Sequence, residues 1–229
     1  MTTKIVGGSG FGALIANQDL HTASATQMHR LGTRLVRGDR IFKYAKAGAT
    51  LVVPFLCGYY DYGVSGYAAV PTETPAGSTT VYATVGASEG VGSDGVVAEH
   101  ELEGGYVTIF ALNAGAASTD YTFQIVDNTA AASGSATKLT IDSPLPFTCS
   151  TSSATEITGN IYSDVRSGST GSSRMLVGKP MAPATTTYPY CWIQTWGPCW
   201  LVPAAAVGNI AGQTLVTSTA NGSAAVLTT

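Results

Sequence analysis

The stretch KIVGGSGFGALIAN, beginning at Lys4, carries the residue types of a phosphate-cradling turn. Glycines let such a turn tighten and bring backbone N–H groups up to a pyrophosphate at a helix N-terminus. Gly7, Gly8, Gly10 and Gly12, with Ala13 closing a G-x-x-G-x-x-G/A pattern, match that fingerprint in part, and Asp39 falls near the place of a ribose-binding acid. A dinucleotide fold must continue as alternating strands and helices. No amphipathic helix of ordinary length follows Leu31, so the glycines are assigned to an arm rather than a cofactor turn. Ser9, between Gly8 and Gly10, lacks the strand–turn–helix setting of a nucleophile elbow.

The histidines are His21, His29 and His100, and Glu99-His100-Glu101 offers metal-ligand types in one place. On a strand, neighbouring residues point to opposite faces, which sets His100 against both glutamates and predicts no metal. Arg37-Gly38-Asp39 is an integrin-type tripeptide, but Gly and Asp are also what a hairpin turn requires. Cys57, Cys149, Cys191 and Cys199 form no C-x-x-C, and their pairing stays open. Trp192, Trp196 and Trp200 suit a sugar-stacking platform, a core or a subunit contact. No catalytic residue, cofactor or metal ligand is expected.

The elements that position these residues read as strands. GTRLVRGDRIFKYAKAG is a hairpin about Gly38-Asp39, with Phe42 and Tyr44 on one face and Lys43 on the other. Val81, Ala83 and Val85 mark a strand; GGYVTIFAL is apolar on both faces, as a strand covered on both sides would be. Tyr121, Phe123 and Ile125 alternate with polar residues, as do Leu139 and Ile141. Pro54 confines its segment to an edge or an irregular turn. Tyr190, Trp192, Gln194 and Trp196 share parity and are predicted to line one face, before Gly197-Pro198 turns or bulges the strand. Asn221-Gly222 signals a closing hairpin. The expectation is an all-β fold, an antiparallel β-sandwich or barrel-like domain with an extended N-terminal arm. Its segments are an arm over 1–30, a main β domain over 31–175, and C-terminal hairpins over 176–229 that pack on or complete it.

Composition narrows the function. The chain has 229 residues, of which 11% are charged, against about 25% in an average soluble domain. Its surface is therefore rich in Ser, Thr, Ala and Gly, and cheap to desolvate. The richest apolar stretch, TLVVPFLCGYY, is too short and broken to cross a bilayer as a helix. With a net charge of −3, no basic stripe for nucleic acid is expected. No cationic start precedes an apolar run, so no secretory signal is expected and the thiols are expected reduced.

Three segments together resemble tailed-phage head proteins of the cement, or decoration, type: LGTRLVRGDRIFKYAKAG; EGGYVTIFALNAG with DYTFQIVDN and ATKLTIDSPL; and YCWIQTWGPCWLV with VGNIAGQTLVTSTANGSAAVL. The resemblance implies a mostly β virion protein on the outer surface of the capsid. It would be commonly trimeric, bind the major capsid protein and stabilise the shell without catalysis. The contact residues expected on this reading are Phe11, Leu14, Ile15 and Leu20 in the arm, and Tyr190, Trp192, Trp196 and Trp200. The rival is a carbohydrate- or receptor-binding β module of a phage fibre or surface protein.

Overall fold

The computed structural model describes residues 18–59, 65–90, 94–111, 119–167, 175–203, 216–218 and 223–226. Among them there is no helix, and sixteen strands. These are β1 (Arg34–Arg37), β2 (Arg40–Lys46), β3 (Cys57–Tyr59), β4 (Ser65–Ala69), β5 (Thr80–Thr84), β6 (Val96–Val97), β7 (Tyr106–Ala111) and β8 (Thr119–Asn128). They continue as β9 (Ala131–Ala132), β10 (Ala136–Ile141), β11 (Ala154–Thr158), β12 (Val165–Ser167), β13 (Met175–Pro180), β14 (Tyr190–Trp196), β15 (Val216–Ser218) and β16 (Ala224–Val226). Every ladder between named strands is antiparallel. The all-β expectation holds.

The chain divides into two compact units, one from Met1–Tyr60 with Ile161–Thr229, the other Asp61–Asn160. This differs from the three consecutive segments expected, because strand pairing joins residues distant in sequence. The first unit's main sheet runs β1-β2-β14-β13-β3-β12, so a late strand, β14, lies between an early one, β2, and β13. The sheet curls. At the end of β2 the Lys46 N–H donates to Tyr162 O, and beyond it the Gly48 N–H donates to Val165 O and Ala47 bridges Val165, bringing β12 back onto the continuation of β2.

Alternation along β2 and β14 separates two cores. Ala45, Cys191 and Ile193 face inward with Leu51, Cys57, Val165 and Val177. Phe42, Tyr44 and Trp192 face the other way and pack with Leu20 and Leu35. The hairpin is as predicted, with Arg37 opposite Arg40 and Gly38 at φ 62°. Residues 18–30, expected as part of an arm, are tied down: Ser24 pairs with Tyr190 through two backbone hydrogen bonds, and Leu20 is buried.

The second unit's sheet runs β4-β11-β7-β8-β10-β5, and its end strands β4 and β5 approach each other. Its core holds Val81, Ala83 and Val85, Phe123 and Ile125, and Leu139 and Ile141, as their alternation predicts. β7 departs from expectation. Val107 and Ile109 are fully buried, but Tyr106 is exposed and Thr108 pairs its hydroxyl with that of Thr122, so only one face is covered. Its aromatic residues lie on the side that keeps partial contact with water.

β15 and β16 pair with Ser218 opposite Ala224; the Asn221-Gly222 turn itself lies outside the described residues. So do the glycine cluster of Gly7 to Ala13 and the arm residues Phe11, Leu14 and Ile15.

Candidate functional site

β14 begins in the core and ends at the surface. Trp192 is fully buried, with ring centroids 5.1 Å from both Tyr44 and His29. Tyr190 stacks nearly parallel on Tyr44 at 6.3 Å. The Tyr44 hydroxyl donates to Gln18 Oε1 at 2.6 Å and accepts from the Met28 N–H at 3.2 Å, which pins the 18–30 segment over this cluster. Leu20 and Trp192, expected as contact residues, are thus core residues of the first unit. Their burial by a segment far away in sequence is what the strand pattern could not convey.

After Gln194 the register against β2 shifts: Gln194 faces Phe42, yet Trp196 faces Ile41. One residue is inserted, so side-chain parity inverts across the bulge. Trp196 therefore does not share Trp192's face as predicted. It is 69% exposed, and Trp200 is 66% exposed.

The turn that follows is held from beneath. Gln194, itself buried, directs its Nε2 at the carbonyls of Trp196, Gly197 and Pro198, at 3.2, 3.1 and 2.9 Å. Gly197 sits at φ 92°, and a Cβ there would meet Asp39 O and Arg40 Cγ at 2.9 Å each. Only glycine fits a left-handed turn pressed so closely on the tip of the β1–β2 hairpin. Beside it opens a cleft of about 550 Å³ lined by Asp39, Leu56, Lys179, Gln194, Trp196 and Cys199, among others. Sequence reasoning missed Gln194 and Lys179. The Q-T-W-G-P string was the available signal, since a buried glutamine two residues before a Trp-Gly-Pro turn can reach its carbonyls.

No protein family, curated protein or solved structure matches this chain.

The other candidate chemistries are dispersed. Glu99, His100 and Glu101 lie in a turn rather than on a strand, with His100 at φ 64°. His100 Nδ1 is 2.6 Å from Asp127 Oδ1, while the Glu101 carboxylate accepts from the Ala98 N–H within the same turn. Among the described residues no three His, Cys, Asp or Glu side chains gather as a metal site. All four cysteines are free thiols, buried at 57, 149 and 191 and exposed at 199. Burial pushes the Cys191 thiol up to about 12 and Cys57 higher still, so neither is a thiolate at neutral pH. Arg37-Gly38-Asp39 occupies the hairpin turn and its approach.

The cations are unevenly distributed along the chain. Six of the eleven lysines and arginines, Arg30, Arg34, Arg37, Arg40, Lys43 and Lys46, fall within seventeen residues on or beside the β1–β2 hairpin. The average concealed a local concentration.

Proposed function

We propose that this chain is a structural virion protein, a capsid cement protein that binds the outer surface of the major capsid shell as a homotrimer and catalyses no reaction. The observation that carries this reading is the pair Trp196 and Trp200, two-thirds exposed on either side of a turn, Trp196 to Pro198, that Gln194 anchors. Large aromatic side chains held rigidly at a surface lose little entropy on docking and bury much apolar area, which is why they dominate protein contacts. The low charge content lets the surrounding surface be desolvated at small cost. Repetition around a symmetric shell multiplies a weak contact.

The test is particle occupancy. The chain is expected at fixed stoichiometry in purified particles and released by mild chaotrope before the shell breaks. Trp196→Ala with Trp200→Ala is expected to lower occupancy at least tenfold while circular dichroism stays unchanged; undiminished occupancy refutes the docking surface.

One observation favours a second reading, a carbohydrate- or receptor-binding module: Trp196 borders an open cleft that also presents Asp39 and Lys179. An aromatic face beside hydrogen-bonding groups suits a sugar ring. Glycan binding by the isolated chain, lost in Trp196→Ala, would select this reading over cement.

A further inference from the structure

The two units carry opposite charge. The first holds ten of the lysines and arginines against Asp19, Asp39 and Asp164, a formal charge of +7. The second holds Lys138 against eleven acids, a formal charge of −10. A net charge of −3 is the residue of this segregation.

The positive charge gathers on one hairpin. Arg34 stands directly opposite Lys43 across the hairpin, and Arg37 opposite Arg40. Like charges facing each other across an antiparallel pair oppose it; burial first, and then Arg34, hold the Lys43 ammonium below its ordinary range. β1 is also the end strand of its sheet, with β2 its one strand neighbour among the described residues. Beside the hairpin tip stands the exposed Trp196, because Gly197 packs on Asp39 and Arg40. This composes an edge with cations around it and an aromatic anchor at one end. Its complement is acidic and solvent-facing, and the second unit supplies such residues: Glu73, Asp94, Glu99, Asp120, Asp142 and Glu156 are each exposed.

We propose that copies of this chain associate head to tail, the β1–β2 hairpin of one copy docking on the acidic second unit of the next. The contact joins two different patches, so it closes into a ring or propagates, according to its rotation. Opposite fields of this size also steer the encounter. The inference stands apart from the capsid reading, since it concerns the soluble chain and needs no shell.

The experiment is sedimentation of the full chain from low to high salt, with paired charge reversals. Wild type is expected to associate at low ionic strength, and its association constant to fall about tenfold or more at several hundred millimolar NaCl. Arg34→Glu with Lys46→Glu, both at exposed positions of the hairpin, is expected to abolish association while circular dichroism stays unchanged. Glu73→Lys with Glu99→Lys is expected to weaken association alone, and mixing the two variants to restore it, since each then supplies what the other lacks. A wild type that stays monomeric at low salt, an association unmoved by salt and by hairpin reversal, or one that forms only on added DNA or RNA overturns the proposal. Particle occupancy is a separate readout, so loss of one reading leaves the other standing.

Discussion

Trp192 and Trp196 lie four residues apart on one strand, and the first is fully buried while the second is 69% exposed. The bulge between Gln194 and Trp196 produces this divergence, and it divides the strand into a structural half and a presenting half. The two tryptophans should therefore answer differently to the same substitution. Trp192→Ala is expected to cost about 3–5 kcal/mol, the range for emptying a large aromatic site. Trp196→Ala should stay within about 0.5 kcal/mol of wild type, as exposed positions do. Denaturant melts measure both.

Gln194→Ala removes one carboxamide and leaves three turn carbonyls without its donor. A loss of about 1–3 kcal/mol is expected, the cost of unsatisfied buried polar groups. Gln194→Met, which keeps the volume, should lose nearly as much if hydrogen bonding rather than packing holds the turn. The indole fluorescence of Trp196 should shift in both variants.

Asp164 is buried and receives two hydrogen bonds from Arg166, at 3.1 and 3.0 Å. Gly48 lies against this carboxylate so closely that an added Cβ would overlap it. Gly48→Ala is expected to destabilise the first unit strongly, because the displaced group is a buried ion pair that also borders the closure of the sheet. Arg166→Ala should cost about 3–5 kcal/mol by leaving the buried carboxylate without its guanidinium. Thermal melts of both variants against wild type decide this.

His100 and Asp127 form an exposed pair in the second unit. The hydrogen bond to Asp127 raises the His100 pKa above 6.5, and the same bond lowers that of Asp127 below 3.8. The sign follows. The histidine contribution is fully present below its unfolded pKa and is lost as pH rises through the raised folded value. The aspartate contribution is present above its unfolded pKa and is lost as pH falls through the lowered folded value. The pair thus acts best between about 4 and 6.5. An NMR titration of the His100 ring should give a raised pKa in wild type that falls back in Asp127→Asn; an unchanged value would discard the pair. Asn, which tolerates positive φ, is the replacement for His100 that tests the charge without straining the turn.

One thiol of four should react with a disulfide reagent in the native protein. Cys199 is exposed, whereas Cys57, Cys149 and Cys191 are buried, with pKa values raised by burial. Denaturation should release the remaining three. Cys199→Ser should abolish the native reaction and leave the later release intact.

What the sequence determined by itself was local. The turn at Gly38-Asp39 and the alternation of Val81, Ala83 and Val85, of Phe123 and Ile125, and of Leu139 and Ile141 follow from φ preferences and a period of two, which neighbouring residues carry alone. The β class followed from them. The tertiary structure decided what depends on distant partners: that β14 lies beside β2, that residues 18–30 seal Trp192 inside, and that a bulge sends Trp196 outward. It also decided charge. Net charge sums over the whole chain, but a field depends on where residues gather in space, and only the division into two units turned −3 into a basic body and an acidic one.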